Sequence, residues 1–231
     1  KFSLEINLGE ILFLYNTFPK YFEITEKTKQ KLQHLNNKDY ENPTSLISNI
    51  QQTKIIDEKV SDILHLYQKK GIAWLLFMHK SHLNGILADD MGLGKTLQTL
   101  VFLSLLINKQ KEKLPTLILM PSTLLFNWEN EIQKYTPHLK YLIYAGKNRH
   151  QHENNFHKYD LILASYNIVR LDTDFLKTIQ FFYIILDEAQ FIKNYQSKIC
   201  KSVCQLQGNH KLALTGTPIE NDTIELWSIF S

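Results

Sequence analysis

Residues 84–97, NGILADDMGLGKTL, decide the fold of this 231-residue chain. The apolar residues 86–88 predict a short buried strand, and an apolar-periodic run that begins at Lys95 predicts a helix. Between them, Gly92 and Gly94 interrupt the regular backbone. A strand, a glycine loop and a helix N-terminus form a cradle for phosphate, because converging backbone N–H groups and the helix dipole both attract anions. In such a cradle Lys95 reaches the β- and γ-phosphates, and the Thr96 hydroxyl is placed to ligate Mg²⁺.

Asp89 stands where the strict pattern G-x-x-x-x-G-K-[ST] has glycine. The alternative interpretation is an ordinary strand–turn–helix whose glycines only make the turn. We favour nucleotide binding, because Gly94, Lys95 and Thr96 lie between a predicted strand and a predicted helix, as the motif requires. The loop by itself indicates a nucleoside triphosphate and leaves the reaction open.

The composition indicates a globular protein and does not by itself indicate a function. The chain has 44% apolar and 21% charged residues, as is typical of a globular protein, and its formal charge of +3 permits contact with nucleic acid without arguing for it. No apolar run approaches the roughly 18 residues of a membrane span, and there is no signal peptide, so we expect neither membrane contact nor secretion. Because the chain starts at Lys1 and stops at Ser231 in mid-pattern, we expect a piece of a longer protein.

Cysteine and histidine usage predicts an intracellular protein without a zinc site. Two cysteines form no disulfide framework, which favours a reducing compartment, the cytoplasm of a bacterium or the nucleus of a eukaryote. A zinc site at Cys200 and Cys204 would need two further ligands and has only His210 nearby. Histidines 150, 152 and 157 lie in a polar loop without an obvious fourth group, so we favour a solvated loop there.

Strands that alternate with helices predict an α/β fold with a doubly wound parallel sheet. We assign residues 61–231 to this sheet, whose further strands are predicted at 116–120, 140–144, 160–164, 181–186 and 212–214. We assign residues 1–60 to a small N-terminal extension of unknown role. It contains a predicted hairpin over residues 1–15 and a Lys-rich helix that begins after Thr25.

Two later segments supply chemistry that suits a phosphate cradle. In residues 181–190, FFYIILDEAQ, Asp187 ends a strongly apolar strand where a carboxylate would hold Mg²⁺, and Glu188 follows where it can polarise an attacking water. The alternative is a solvated strand end, which the preceding phosphate loop makes less favourable. In residues 212–221, Thr215 and Thr217 follow another strand, at the sheet edge where ligand-contacting groups collect.

Seven segments together resemble the Swi/Snf family of DNA-dependent ATPases, within helicase superfamily two. They occur in the family's order and cover about residues 62–231, which implies the first RecA-like lobe, a P-loop NTPase fold. The resemblance further implies that the 212–214 strand lies between the phosphate-loop strand and the Asp187 strand, so that Thr215 senses the γ-phosphate. The segments are Gln68, DDMGLGKT (89–96), residues 121–131, ASYNIVR (164–170), DEAQ (187–190), IKN (192–194) and LTGTPIEN (214–221).

The resemblance implies roles for residues outside the phosphate loop. Gln68 matches the glutamine that reads adenine, which an amide can do by pairing a donor and an acceptor with the base edge. Ser122 and Thr123 match one segment that contacts the nucleic-acid backbone, and Tyr166 matches a second one. Trp128 also matches the family, but it lies on the apolar face of its predicted helix, so we expect core packing rather than base stacking.

Gln190 departs from the family, which often has histidine at this position. Glutamine keeps its hydrogen-bonding capacity toward the γ-phosphate and toward the turn of Thr215 and Thr217, but it does not titrate. We therefore count Gln190 with Lys95 and Glu188 as catalytic and expect coupling without a histidine-linked pH dependence.

The sequence thus predicts the ATP-binding lobe of a DNA-stimulated ATPase that uses ATP and Mg²⁺ to move along duplex DNA or to remodel protein–DNA complexes. Its expected partners are double-stranded DNA, a second RecA-like lobe and DNA-bound proteins. The alternative is a non-enzymatic, nucleotide-dependent DNA-binding scaffold, against which Glu188 argues. No Asn-Lys-x-Asp motif follows the phosphate loop, which argues against a signalling GTPase. The sequence also lacks the glycine loop and the H-R-D motif of a protein kinase.

The chain has only two arginines, Arg149 and Arg170, and neither adjoins Lys95 or Glu188 in motif order. Phosphoryl transfer of this kind needs an arginine finger worth about 10³–10⁵ in rate. We therefore expect that the isolated chain binds Mg-ATP weakly and hydrolyses it negligibly.

Overall fold

The structure, a computed structural model, describes residues 58–80, 82–107, 110, 112–192, 194 and 196–216, except for the side chains of residues 58, 59 and 61. The predicted N-terminal hairpin, the predicted Lys-rich helix and Thr217 lie outside the described residues.

Six parallel strands form one sheet in the order β1-β6-β5-β2-β4-β3. The predicted insertion of the last strand between the phosphate-loop strand and the Asp187 strand is confirmed, because β6 pairs with β1 on one side and with β5 on the other. The strands are β1 (Gly85–Leu87), β2 (Thr116–Met120), β3 (Tyr141–Ile143), β4 (Leu161–Ser165), β5 (Gln180–Asp187) and β6 (Gln207–Leu214).

The sheet is covered by helices on both faces. The helices are α1 (Glu58–Ile63), α2 (Leu66–Lys80), α3 (Lys95–Ile107), α4 (Leu125–Tyr135), α5 (Tyr166–Leu171), α6 (Thr173–Leu176) and α7 (Lys198–Cys204), with 3₁₀ turns at Ser122–Leu124, Arg149–Lys158 and Ala189–Ile192. This is the predicted doubly wound α/β architecture, with a phosphate-loop strand at one edge of the sheet.

Burial explains why the central strands are continuous apolar runs. All five residues of β2 are buried, as expected for a parallel strand that is covered on both faces. Ile118 and Met120 pack into the core on the side of α2, α3 and α4, whereas Leu117 and Leu119 pack into the core on the side of α5 and α7. Helix α3 is buried from Leu97 to Ile107, which accounts for its lack of a polar face.

One predicted loop differs in the structure. Residues 149–158 of the polar, histidine-rich segment form a ten-residue 3₁₀ helix. The apolar anchor is Phe156, which is 3% exposed and packs edge-to-face on Tyr144 and Phe175, with ring centroids 5.2 and 5.5 Å apart. A single aromatic residue in a polar segment has no periodicity, so the sequence pattern did not reveal this element.

Candidate nucleotide site

The phosphate loop joins β1 to the first turn of α3. Gly92 and Gly94 have positive φ angles of 82° and 77°, a left-handed backbone that glycine adopts without strain. A Cβ atom on Gly94 would lie 2.5 Å from Nε2 of Gln68, so this position also lacks the space for a side chain. Helix α3 begins at Lys95 and presents its N-terminus to the loop. The predicted strand, loop and helix are therefore all present.

The Lys95 side chain folds back onto the start of this loop. Its Nζ donates hydrogen bonds to the backbone oxygens of Asp89, at 2.7 Å, and Asp90, at 3.0 Å. Both acceptors are neutral carbonyls, whereas a phosphate oxygen would offer a shorter and stronger charge-assisted bond. The ammonium group is thus held on weak partners at the place where anionic oxygens would bind.

The structure explains how the loop accommodates Asp89 in place of glycine. Oδ2 of Asp89 accepts a hydrogen bond of 2.8 Å from Nε2 of Gln98, in the first turn of α3. Gln98 is completely buried, and a Cβ atom on Gly71 of α2 would lie 2.0 Å from its Oε1, so this glycine gives the amide its space. Gln98 is not among the predicted site residues, although a lone amide in a mostly apolar helix beside the loop is a detectable signal.

Gln68 lies against the phosphate loop and is 5% exposed. Its Nε2 donates to the backbone oxygen of Leu93 at 3.1 Å, and its Oε1 accepts from the backbone N–H of His65 at 2.9 Å. The hydroxyl of Tyr67 donates to the same oxygen of Leu93 at 3.2 Å. The structure thus brings Gln68 to Gly94 and the loop, and its adenine-reading role stays a prediction.

Asp187 ends β5 and is only 7% exposed. Its Oδ1 accepts from the backbone N–H of Glu188 at 2.9 Å, and its Oδ2 accepts from Nε1 of Trp128 at 2.7 Å. The hydroxyl of Tyr166 donates to its backbone oxygen at 2.8 Å. Burial raises the pKa of Asp187, and the bond from Trp128 and the charge of Lys95 act in the opposite direction.

Trp128 is fully buried, as its place on the apolar face of α4 predicted. Its hydrogen bond to Asp187 spans 59 positions of the chain and had no signal in the sequence.

Three polar side chains join the end of β5 to the end of β6. Nε2 of Gln190 donates to Oε2 of Glu188 at 2.5 Å, and Oγ1 of Thr215 donates to Oε1 of Gln190 at 3.0 Å. The backbone N–H of Thr215 donates to the oxygen of Leu87, the last residue of β1, at 3.2 Å. Glu188 itself has a φ of 50°, a left-handed conformation that is uncommon for a residue with a side chain. The roles of Gln190, Thr215 and Thr217 in coupling stay predictions.

The predicted nucleic-acid residues differ in exposure. Ser122 and Thr123 are exposed on the 3₁₀ turn that follows β2. Tyr166 is 3% exposed, because it begins α5 with its ring turned under the end of β5. A direct contact between this side chain and nucleic acid would require the ring to leave its pocket. Contact with nucleic acid stays a prediction for all three residues.

The comparison with family models decides the identity of the chain. The model described as the SNF2-related domain matches residues 67–231. The chain belongs to the SNF2-related domain family. The resemblance to Swi/Snf ATPases that the sequence motifs indicated is thereby confirmed.

Relatives in this family come from eukaryotes and bacteria. A TATA-binding protein-associated factor from Saccharomyces cerevisiae is 44% identical over 180 residues, which cover 72% of this chain and 10% of that protein. An ATP-dependent helicase from Mycoplasma genitalium is 37% identical over 221 residues, which cover 93% of this chain and 20% of that protein. The chain therefore spans between 10% and 20% of the length of these relatives.

A solved structure of the same family shares the fold. The SWI2/SNF2 ATPase core of Sulfolobus solfataricus in complex with double-stranded DNA has a TM-score of 0.66 and 45% sequence identity, over 72% of this chain and 34% of that chain. This similarity confirms the predicted RecA-like fold of an SNF2-type ATPase core.

The residues at the candidate site fit Mg²⁺. This ion binds proteins through one or two carboxylates and completes its octahedral shell with phosphate oxygens and waters. Asp187 provides one buried carboxylate at the end of β5, beside β6, which Thr215 directly follows. Thr96 provides a hydroxyl in the first turn of α3. The described part of the chain contains no group of three or more His, Cys, Asp and Glu side chains that could hold a metal ion, so a metal here would depend on phosphate oxygens and waters for its other ligands.

Arg149 is engaged away from this site. Its Nε and Nη2 donate to the two carboxylate oxygens of Asp172, at 2.5 and 2.8 Å, and its Nη1 donates to the oxygen of Gly146 at 2.8 Å. This bidentate pair holds the pKa of Asp172 below its usual range. Arg170 is exposed on α5.

Among the described helices, none is long and apolar enough to cross a membrane.

Proposed function

We propose that residues 61–231 are the first, ATP-binding lobe of a DNA-stimulated ATPase that moves along duplex DNA or remodels protein–DNA complexes. In this proposal, residues 1–60 are an extension outside the lobe. One observation carries it. Leu87, Leu214 and Asp187 are in register across three neighbouring strands, so the phosphate loop, Thr215 and the carboxylates meet at one edge of the sheet.

The phosphate loop binds ATP in this proposal. Lys95 exchanges the carbonyl oxygens of Asp89 and Asp90 for oxygens of the β- and γ-phosphates, which offer charge-assisted bonds. Gly92 and Gly94 keep the backbone N–H groups free of side chains, and Gln68 is close enough to the loop to contact the base. Thr96 and Asp187 hold Mg²⁺, which neutralises charge on the phosphates when it is bound.

Hydrolysis depends on Glu188. Its carboxylate orients and polarises the attacking water, and Gln190 holds that carboxylate through the bond to Oε2. Thr215 then links the same amide to the edge where the γ-phosphate lies. Through this relay, Gln190 and Thr215 couple the state of the nucleotide to the orientation of Glu188. We assign Thr217 the same coupling role from its motif.

Duplex DNA is the proposed polymer substrate. The support is family membership, the double-stranded DNA in the related Sulfolobus structure, and the exposed hydroxyls of Ser122 and Thr123 at a turn N-terminus. A second RecA-like lobe supplies the arginine finger, because Arg149 is committed to Asp172. DNA-bound proteins are the further partners, and the site of action is intracellular, in the cytoplasm of a bacterium or the nucleus of a eukaryote.

The test is ATP hydrolysis by the full-length protein with and without duplex DNA. We expect that DNA stimulates turnover and that Glu188→Gln lowers it by about 10²–10⁴-fold, the usual worth of general-base catalysis, while nucleotide binding persists. Glu112→Gln, an exposed acid beyond α3, is the matched control and should behave as wild type.

Nucleotide-dependent DNA binding without hydrolysis in the wild-type protein would instead favour a non-enzymatic scaffold. Residues 1–231 alone, verified as a monomer, should turn over negligibly even with DNA. Robust DNA-stimulated hydrolysis by this piece would show that the argument from a missing arginine finger is wrong.

A further inference from the structure

Two aromatic side chains converge on Asp187 from the two segments that resemble nucleic-acid contacts. Trp128 lies on α4, which follows the exposed turn of Ser122 and Thr123. Tyr166 is the first residue of α5, directly after β4. Each donates one hydrogen bond to Asp187, so the proposed metal ligand is tied to both segments.

Trp128 fixes the carboxylate itself. The indole N–H only donates, and its 2.7 Å bond goes to Oδ2 of the carboxylate. A hydrogen bond to an ionised carboxylate is about twice as strong as a bond between neutral groups. With Oδ2 engaged by Trp128 and Oδ1 engaged by the backbone of Glu188, rotation of the carboxylate breaks one bond or the other. The ring is fully buried, so its position follows the position of α4.

Tyr166 fixes the backbone at the same residue. Its hydroxyl donates to the carbonyl of Asp187, and burial raises the pKa of Tyr166, so the hydroxyl keeps the proton that it donates. The ring also stacks on Phe191, which follows Glu188 by three residues, with ring centroids 6.2 Å apart and planes 11° apart. A shift of the start of α5 therefore reaches the peptide that joins Asp187 to Glu188.

We propose that Trp128 and Tyr166 are positioning residues that transmit nucleic-acid contact to Asp187 and Glu188. Contact at the turn of Ser122 and Thr123 moves α4 and, with it, the donor to the carboxylate. Contact at the start of α5 moves the donor to the backbone. This inference rests on the proposed function, because it supposes that DNA stimulates hydrolysis.

The two donors have separable effects. Loss of the Trp128 donor frees the carboxylate and weakens the contribution of Mg²⁺ to nucleotide binding, with or without DNA. Loss of the Tyr166 hydroxyl frees the backbone ahead of Glu188 and lowers the increase in kcat that DNA produces. A bond to a charged group is worth roughly 10- to 100-fold and a bond between neutral groups roughly 3- to 10-fold, which sets the two expected changes.

The variants are Trp128→Phe and Tyr166→Phe in the full-length protein. Each removes a donor and keeps an aromatic ring. Tyr183→Phe is the matched control for the hydroxyl, because Tyr183 lies on the same strand and bonds Nδ1 of His79 instead. Ile132→Ala is the control for lost volume, because Ile132 is fully buried one turn after Trp128 on α4.

Two readouts decide the proposal. The first is the dissociation constant of a non-hydrolysable ATP analogue, measured with and without Mg²⁺. The second is the kcat and KM of ATP hydrolysis with and without duplex DNA. The affinity for DNA serves as the control measurement. We expect that Trp128→Phe loses most of the tightening by Mg²⁺, that Tyr166→Phe loses DNA stimulation through kcat, and that both keep their DNA affinity. Ser122→Ala with Thr123→Ala should instead weaken DNA affinity.

Several results would overturn the proposal. Wild-type tightening by Mg²⁺ in Trp128→Phe, or wild-type DNA stimulation in Tyr166→Phe, would each remove one of the two donors from the account. Equal losses in Tyr183→Phe and Ile132→Ala would show a general packing effect. If the wild-type protein shows no DNA stimulation at all, the proposed function fails, and the binding constants with and without Mg²⁺ still decide the role of Trp128.

Discussion

The two halves of the candidate site are built in opposite ways, although they meet at one sheet edge. On the phosphate-loop side, Met91 is 76% exposed, and Lys95 and Gln68 donate to backbone oxygens of the loop. On the β5 side, Asp187 is 7% exposed and accepts hydrogen bonds from Trp128 and Tyr166, both nearly or fully buried.

This difference indicates a division of labour. Bonds from an ammonium to neutral carbonyls are readily exchanged for bonds to phosphate, so the loop is ready to change partners. Asp187 is buried, its carboxylate accepts from the core-packed Trp128, and its backbone oxygen accepts from the core-packed Tyr166, so it keeps its orientation while the nucleotide binds. We infer that the loop responds to the nucleotide and that the end of β5 is set before the nucleotide arrives.

The larger of two expected effects concerns the link between the halves. Thr215→Val keeps the shape of the side chain and removes the hydroxyl that bonds Gln190. Because Gln190 then loses one of its partners beside Glu188, we expect that DNA-stimulated turnover falls by about 10-fold, while nucleotide affinity stays within a factor of two or so.

Steady-state hydrolysis and equilibrium nucleotide binding measure these two quantities. Thr178→Val is the control, because Thr178 lies just before β5, at the end opposite to Asp187. Its hydroxyl donates to the backbone oxygen of Phe175. Equal turnover in Thr215→Val and Thr178→Val would mean that the two halves work without this link.

The smaller effect concerns a histidine cluster that packs against β5 and β6, away from Asp187 and Glu188. His79 contacts the rings of His210, at 4.7 Å, and Tyr183, at 5.8 Å, and His82 stacks on His210. Burial and the neighbouring histidines lower the pKa of His79 to about 4 and lower that of His210 as well. The His79 ring is therefore neutral in the folded protein near pH 6.

The sign of the pH dependence follows from this lowering. A histidine in the unfolded chain binds a proton below about pH 6.5, whereas His79 in the folded protein binds one only near pH 4. The contribution of neutral His79 to the free energy of unfolding is therefore fully present above pH 6.5, and it decreases as the pH falls toward 4. His79→Asn keeps an acceptor near Tyr183 and does not titrate. Because solvent screens this partly exposed ring, we expect His79→Asn to reduce the loss of stability between pH 6.5 and 5 by roughly 1 kcal/mol.

Denaturant unfolding at the two pH values measures this loss. The exposed His157 offers the control variant His157→Asn, which should leave the loss as in wild type. An unchanged pH dependence in His79→Asn would place the acid sensitivity elsewhere in the protein.

The strands and helices that follow from apolar periodicity and glycine positions were predicted from the sequence. The hydrogen bonds that depend on the orientation of a side chain were not. The buried strands, the helix start at Lys95 and the position of Asp187 follow from apolar runs and glycine punctuation. The place of β6 between β1 and β5 followed from the family resemblance, because periodicity carries no strand order. The bonds from Trp128 and Tyr166 cross 59 and 21 positions and depend on ring orientation, which neither composition nor spacing encodes.

Hydrogen exchange at the two halves of the site tests the central claim most directly. Backbone exchange of the full-length protein is followed by mass spectrometry over residues 88–98 and 181–188, before and after addition of Mg²⁺ and a non-hydrolysable ATP analogue. We expect that exchange over residues 88–98 slows by about tenfold or more when phosphate replaces the loop's own acceptors, whereas residues 181–188 exchange slowly in both states. A loop that exchanges equally fast in both states, or an equal change at the end of β5, would contradict the account.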